Sequence, residues 1–348
     1  MDARAFGRAY PAFEYNDGGI SEERAELLRT PRQWMGLFNA ALAGYLHNRS
    51  TPDEYDFRYQ LDRYSRWTTD TLPETKRRLD AQGDQYENHR SANELGFHSI
   101  NASLLPLWPA LFYRETISES DLTDMQLRLA YDSFPSIVRQ RRLRSRGARS
   151  GETMKKESAR LAGHGTEVDA MIANLELMKT NPELITLSAP SRYEANPKAA
   201  RAARNRNSDA LVIHRRRRQV IGQQVKTSLG SPTGSSQHYD DAYVLLIDGE
   251  GDLGNTRYIN GQQCPRPGLL ALGLLATHIS EQAPAGVDPD EYARRCEHSA
   301  RMTQSVTPFL SNAAHAIDEK LQYSLERGQA RQSDQPLRYT TSTKKTAS

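Results

Sequence analysis

Residues 208–228 read SDALVIHRRRRQVIGQQVKTS, two short apolar runs separated by four consecutive arginines. Ala210 to Ile213 and Gln219 to Val225 are rich in Val, Ile and Leu, whereas Arg215, Arg216, Arg217 and Arg218 cannot enter a core. The stretch therefore reads as a β-hairpin with a cationic tip. Strand side chains alternate between faces, so Gln224 and Lys226 share one face of the second strand and Ile221, Gln223 and Val225 the other. Asp209 opens the first strand, and the hairpin places it beside the Gln-x-Lys end of the second. A carboxylate, an amide oxygen and an ammonium group are expected at one place.

The spacing of Asp209 and then Gln224-Val225-Lys226 resembles the restriction-endonuclease-like superfamily, named for its PD-(D/E)xK pattern, in which an Asp begins one strand and an acid-x-Lys closes the next. That superfamily also places a Glu on an upstream helix. Here LAGHGTEVDAMIANLELMK supplies Glu167, with Val168, Met171, Leu175 and Met178 on one helical face. Two positions depart from the pattern. Ser208 stands where the superfamily has Pro, and Gln224 stands where it has an acid, which removes one negative charge from the metal site.

The resemblance spans roughly residues 151–280. It implies an α/β or α+β fold class, a mixed central sheet flanked by helices, preceded by a mainly helical N-terminal domain. It also implies a Mg²⁺-dependent phosphodiester hydrolase in which Mn²⁺ can substitute. Glu167, Asp209, the Gln224 side-chain oxygen and the Val225 carbonyl would be the ligands, and Lys226 would lie beside the phosphate and the attacking water.

Charge distribution agrees with a phosphate-bearing partner. The net charge of the 348 residues is only +3, but nine Lys/Arg between Arg139 and Arg160 face only Glu152 and Glu157, and ten between Arg192 and Lys226 face only Glu194 and Asp209. Arg201, Arg204 and Arg206, with the hairpin arginines, are the residues expected to hold backbone phosphates without reading sequence. The expected partner is nucleic acid, DNA foremost, and a homodimer is left open. Apolar residues are 37% of the chain and no apolar run reaches the roughly 18 residues needed to cross a bilayer. The first residues lack the apolar core of a signal peptide, so the expected setting is the cytoplasm without a membrane partner. Cys264 and Cys296 form no C-x-x-C pair, which argues against a disulfide scaffold and a structural zinc.

The remaining organisation follows from helix and turn signals. Residues 1–138 read as mainly helical, with Pro31 in the first turn of one helix and Pro52-Asp53 opening another. Leu104 to Tyr113, LLPLWPALFY, reads as a buried irregular segment or broken helix. The tryptophans and tyrosines of this part could stack on unpaired bases or form core; helical spacing favours core. The arginine-rich residues 139–150 read as an exposed basic linker. Residues 151–327 then form the nuclease-like domain with C-terminal helices, its first helix broken at Gly163-His164-Gly165, and 328–348 a disordered tail. Leu184 to Leu187 and Ala242 to Asp248 add strands, and Arg266 to Ser280 is expected as a helix covering the sheet. Gly249, Gly251 and Gly254 match G-x-G-x-x-G nominally, but no helix start follows and Glu250 and Asp252 would repel a pyrophosphate, so the segment reads as an acidic turn. Two other readings stay open: a nucleic-acid-binding protein that has lost catalysis, for which Gln224 is the motive, and a helical partner-binding protein.

Overall fold

The computed structural model describes residues 26–27, 29–47, 49–81, 95–96, 98–145, 152–188, 209–217, 219–226, 241–246, 258–259, 262–263, 267–279, 281–303 and, discontinuously, 310–326. Helix α1, Arg29–His47, carries Pro31 in its first turn. Helix α2, Glu54–Arg66, begins at Asp53, whose carboxylate accepts the Asp56 N–H at 3.0 Å. A π-helical turn, Trp67–Thr71, leads into α3, Leu72–Ala81. After helical residues 98–103 comes the short buried α4, Leu107–Tyr113, closed by Arg114 in the left-handed region. The apolar segment expected as a broken helix thus has one regular half.

Two long helices follow, α5 at Glu119–Ser145 and α6 at Glu152–Thr180. Ser118 and Asp121 cap α5 reciprocally: the Ser118 hydroxyl accepts the Asp121 N–H at 3.1 Å and the Asp121 carboxylate accepts the Ser118 N–H at 3.0 Å. Strands β1, Leu184–Ser188, β2, Ala210–His214, and β3, Gln219–Lys226, form an antiparallel meander, with β4, Asp241–Leu246, beside β3 in parallel. A separate two-residue pair joins Tyr258–Ile259 to Gln262–Gln263. Helices α7, Leu269–Thr277, and α8, Pro289–Met302, complete the regular elements.

The expected fold class is corrected. The chain is mainly helical and its sheet is small, three antiparallel strands with β4 alongside, not a mixed central sheet flanked by helices. Two features of the sequence explain the difference. The apolar phase of Phe134, Ile137 and Val138 carries α5 through the arginines to Ser145, so the first part of the expected linker is helix. Likewise Gly163 and Gly165 do not break α6. A Cβ at Gly165 would lie 3.1 Å from the Gly268 nitrogen, so this glycine permits a close approach of α6 to the start of α7. Helix α7 packs against α5, α6 and α8, not over the sheet as expected, and one buried core runs from Trp34 to Leu325.

A buried carboxylate fixes that crossing. Asp169, 1% exposed on α6, accepts N–H bonds from Gly268 at 2.8 Å and Ala271 at 3.1 Å, capping α7 from a neighbouring helix. Gly268 has φ +79° and a Cβ there would sit 2.6 Å from Ile137 of α5, so three helices meet where only glycine fits.

A second cross-tie follows from Pro135 inside α5. Proline has no N–H, so the Tyr131 carbonyl one turn earlier has no intrahelical donor. Arg295 of α8 supplies one, donating from Nη1 to the Tyr131 carbonyl at 2.7 Å, while its guanidinium lies 4.0 Å from the Tyr131 ring centroid and its Nε donates to Glu291 at 2.8 Å.

Two measurements test these ties. Burial pushes the Asp169 carboxyl up to about 7, and burial pushes the His98 imidazole down to about 3. The raised carboxyl contributes stability that is present in acid and lost as pH rises toward 7. The depressed imidazole contributes stability present above its ordinary value of 6.5 and lost as pH falls. The two therefore oppose between pH about 4 and 6.5. In Asp169→Asn the opposing slope of that carboxyl is removed, and urea midpoints should drop more steeply with acid than in the parent protein. In a double-mutant cycle, Arg295→Ala should destabilise the parent by about 2 kcal/mol and a Pro135→Ala background by about 1 kcal/mol less, because an alanine at that position restores the missing N–H. Additive values would overturn the assignment.

Candidate functional site

The site expected from sequence lies where β2 begins and β3 ends. The register pairs Ala210 with Gln223 and His214 with Gln219, so β3 runs past the start of β2 by the length of Gln224-Val225-Lys226. At that end the Asp209 N–H donates to the Gln223 carbonyl at 2.8 Å, and the Asp209 carboxylate accepts the Val225 N–H at 2.8 Å. The side chain takes over the ladder where the backbone of β2 leaves it. Asp209 is thereby fixed beside the main chain that joins Gln224 to Lys226.

Helix α6 packs on the opposite face through Gln223. This glutamine is fully buried and exchanges two hydrogen bonds with Asn174, donating at 3.2 Å and accepting at 2.9 Å. Asn174 also donates to the Thr186 hydroxyl of β1 at 3.1 Å, and that hydroxyl approaches the Met171 sulfur at 3.6 Å. Ile221, Gln223 and Val225 are buried and alternate along β3. Asp209, which alternates with the buried Ala210 opposite Gln223, belongs on the face away from α6.

Glu167 lies seven residues before Asn174 on the stripe of α6 that meets the sheet, about 10 Å nearer its N-terminus. Because α6 turns back into β1 at Asn181, earlier residues of α6 lie toward later residues of β1. Glu167 is therefore carried toward the Ser188, Asp209 and Lys226 end of the sheet, half-buried between Thr166 and Val168. Among the described residues no group of three or more His, Cys, Asp or Glu side chains is gathered as a metal cage.

The arginines divide into two groups. Arg215 is structural: its guanidinium donates to the Ala110 and Glu115 carbonyls at 3.3 Å each and to the Pro182 carbonyl, and its backbone N–H donates to Glu183 at 2.8 Å. It ties the hairpin to the end of α4, where helix carbonyls need donors. Arg216 and Arg217 are exposed at the tip. Arg218, Arg201, Arg204 and Arg206 lie outside the described residues, as do the acidic turn 249–254 and the tail 328–348. Trp34 and Trp108 are core, and the exposed large aromatics of the described part are Tyr55 and Tyr59.

Sequence reasoning missed Asn174, Asp169 and Arg295, whose roles arise only when distant segments meet. No protein-family model, curated protein or solved structure matches the chain.

The division of the arginines makes a prediction. Arg215→Ala should lower the unfolding midpoint by about 1 to 2 kcal/mol of stability, since it strips donors from partly buried carbonyls. Arg216→Ala with Arg217→Ala should leave stability within about 0.5 kcal/mol. That pair should weaken nucleic-acid binding for all sequences, lowering the salt slope by up to about one per lost phosphate contact.

Proposed function

We propose that this chain is a divalent-metal-dependent phosphodiester hydrolase acting on nucleic acid, DNA foremost, with its reaction centre at the open end of the β2–β3 hairpin. The observation that carries the reading is the hydrogen bond from the Val225 N–H to the Asp209 carboxylate, which holds an acidic group at the Gln224-Val225-Lys226 segment. The resemblance of these residues to the PD-(D/E)xK pattern supports the same chemistry.

Glu167, Asp209, Gln224 and the Val225 carbonyl are the residues that would hold Mg²⁺, or Mn²⁺ in its place. When bound, the ion would neutralise the phosphate and lower the pKa of an attacking water. The roles of the chain's own groups then follow from their chemistry. Asp209 is oriented before substrate arrives, because Val225 restrains its carboxylate and little ordering remains to be done. Lys226 offers a positive charge to the phosphate as negative charge builds on its oxygens. Gln224 contributes a neutral oxygen, so the site carries one negative charge fewer than a site with an acid at that position. The exposed tip arginines position backbone phosphates and take no part in bond cleavage.

Asp209 also completes the strand ladder, and the substitution must separate the two roles. Asp209→Asn keeps a side-chain oxygen for the Val225 N–H and removes the charge. It should retain stability and nucleic-acid affinity while cleavage of labelled substrates in Mg²⁺ falls about 100-fold or more, and Lys226→Ala should do the same. Asp209→Ala should add a stability loss of about 1 to 2 kcal/mol. Gln224→Glu should keep or raise activity. Cleavage at parent rates in Asp209→Asn and Lys226→Ala would show that the hairpin end is not the reaction centre. Binding without cleavage by the parent protein in either metal would favour the reading in which Gln224 marks lost catalysis.

A further inference from the structure

A groove of about 590 Å³ runs between the C-terminal half of α5 and helix α8. Its floor is apolar, formed by Phe134, Val138 and Leu143, and its rim carries Arg139, Arg142 and the His298 ring, which meets Phe134 edge-on at 5.4 Å. Arg139 and Arg142 stand three residues apart, neighbours on one helical turn. Glu291, the acid of the groove, is already bonded to Arg294 and Arg295, and Arg139 is 64% exposed although it reaches Glu157 of α6 at 2.7 Å. The rim is cationic and the floor accepts a flat apolar face.

These features choose among occupants. A helical peptide about 10 Å across would need more room than this for two turns. A duplex could reach the arginines with its backbone, but its bases are stacked away from the floor. An unpaired nucleotide satisfies both parts, its base lying on apolar and ring surfaces and its phosphates meeting guanidinium groups. We propose that this groove holds the unpaired nucleotides of a single-stranded nucleic acid, with bases on the Phe134, Val138 and Leu143 floor and phosphates on Arg139 and Arg142. The inference rests on the proposed function for its ligand class and deepens it by naming the substrate form. The geometry of α6 agrees: Glu157, which touches the groove's Arg139, lies ten residues from Glu167, about 15 Å along the helix. At about 3.4 Å per stacked base, roughly four nucleotides cover that span.

The test measures binding of full-length protein to a labelled oligothymidine strand and to a labelled duplex, without divalent metal so that cleavage does not intervene. Arg139→Ala with Arg142→Ala should weaken the single strand about tenfold and the duplex much less. Leu143→Glu, at a half-exposed position whose change spares the fold, should reproduce the loss by placing a carboxylate in the groove. Unchanged single-strand affinity in both variants overturns the inference, and so does equal weakening of the duplex. Poly-glutamate that binds as tightly as the strand and is lost in the same variants would overturn it in favour of an acidic polypeptide. Cleavage surviving in Asp209→Asn while these variants lose strand binding would overturn the reaction centre placed at the hairpin end and leave the groove standing.

Discussion

The carboxylate of Asp169 sets the position of the helix on which the rest of the molecule is arranged. A charged carboxylate 1% exposed to solvent is costly unless donors surround it, and here the donors are the first N–H groups of α7. The balance is close: burial raises the group to about 7 even though these N–H bonds pull the other way. Either protonation state keeps an acceptor for the helix start, since a neutral carboxyl retains its carbonyl oxygen. The tie thus holds α6 against α7 across a wide pH range while its charge varies. Gly165 is the steric counterpart of this bond, because a Cβ there would push α6 off the start of α7, and a Cβ at Gly268 would run into the Ile137 side chain of α5.

With α6 fixed, the register of the sheet follows. Gln223 and Gln224 are adjacent and chemically identical, and Gln223 pairs with Asn174 in the core. A slip of one residue in β3 would turn Gln223 off that face and leave the buried Asn174 amide without its partner, a cost for a buried polar group. The amide pair therefore specifies which face of β3 meets α6 and so fixes the stretch of strand that Asp209 stands beside. Buried polar pairs of this kind are weak sources of stability and strong sources of uniqueness, and the candidate site inherits its geometry from one.

What was legible in the sequence was what local pattern decides. The hairpin was readable because period-two apolar runs flank arginines that no core accepts, and the start of α2 was readable because Asp53 is an ordinary cap. Gly163 and Gly165 misled because glycine lowers helix propensity locally, whereas the tertiary need at residue 165 was for space. The arginines after Val138 misled in the same way: composition suggested a linker, but the apolar stripe ahead of them kept the helix in phase. Arg215 looked like its neighbours in the tip and is held by carbonyls of α4. Asp169, Asn174 and Arg295 left no local signal, since each is defined by a partner far along the chain.

The sheet's small size changes what can hold a substrate. A broad central sheet could offer one continuous surface to a nucleic acid, whereas here the hairpin end presents only a short edge, and binding area has to come from the helices. Helix α6 links the two regions physically, with Glu167 toward the hairpin end and Glu157 at Arg139 of the groove. The groove in turn depends on Pro135, which removes a backbone donor from α5 and so obliges Arg295 of α8 to fill the vacancy at the Tyr131 carbonyl. That bond draws α8 onto α5 beside the groove, whose rim carries Arg139 and Arg142. A proline in mid-helix thus has a consequence beyond the helix, since it assigns one arginine to structure and shapes the wall on which Arg139 and Arg142 stand.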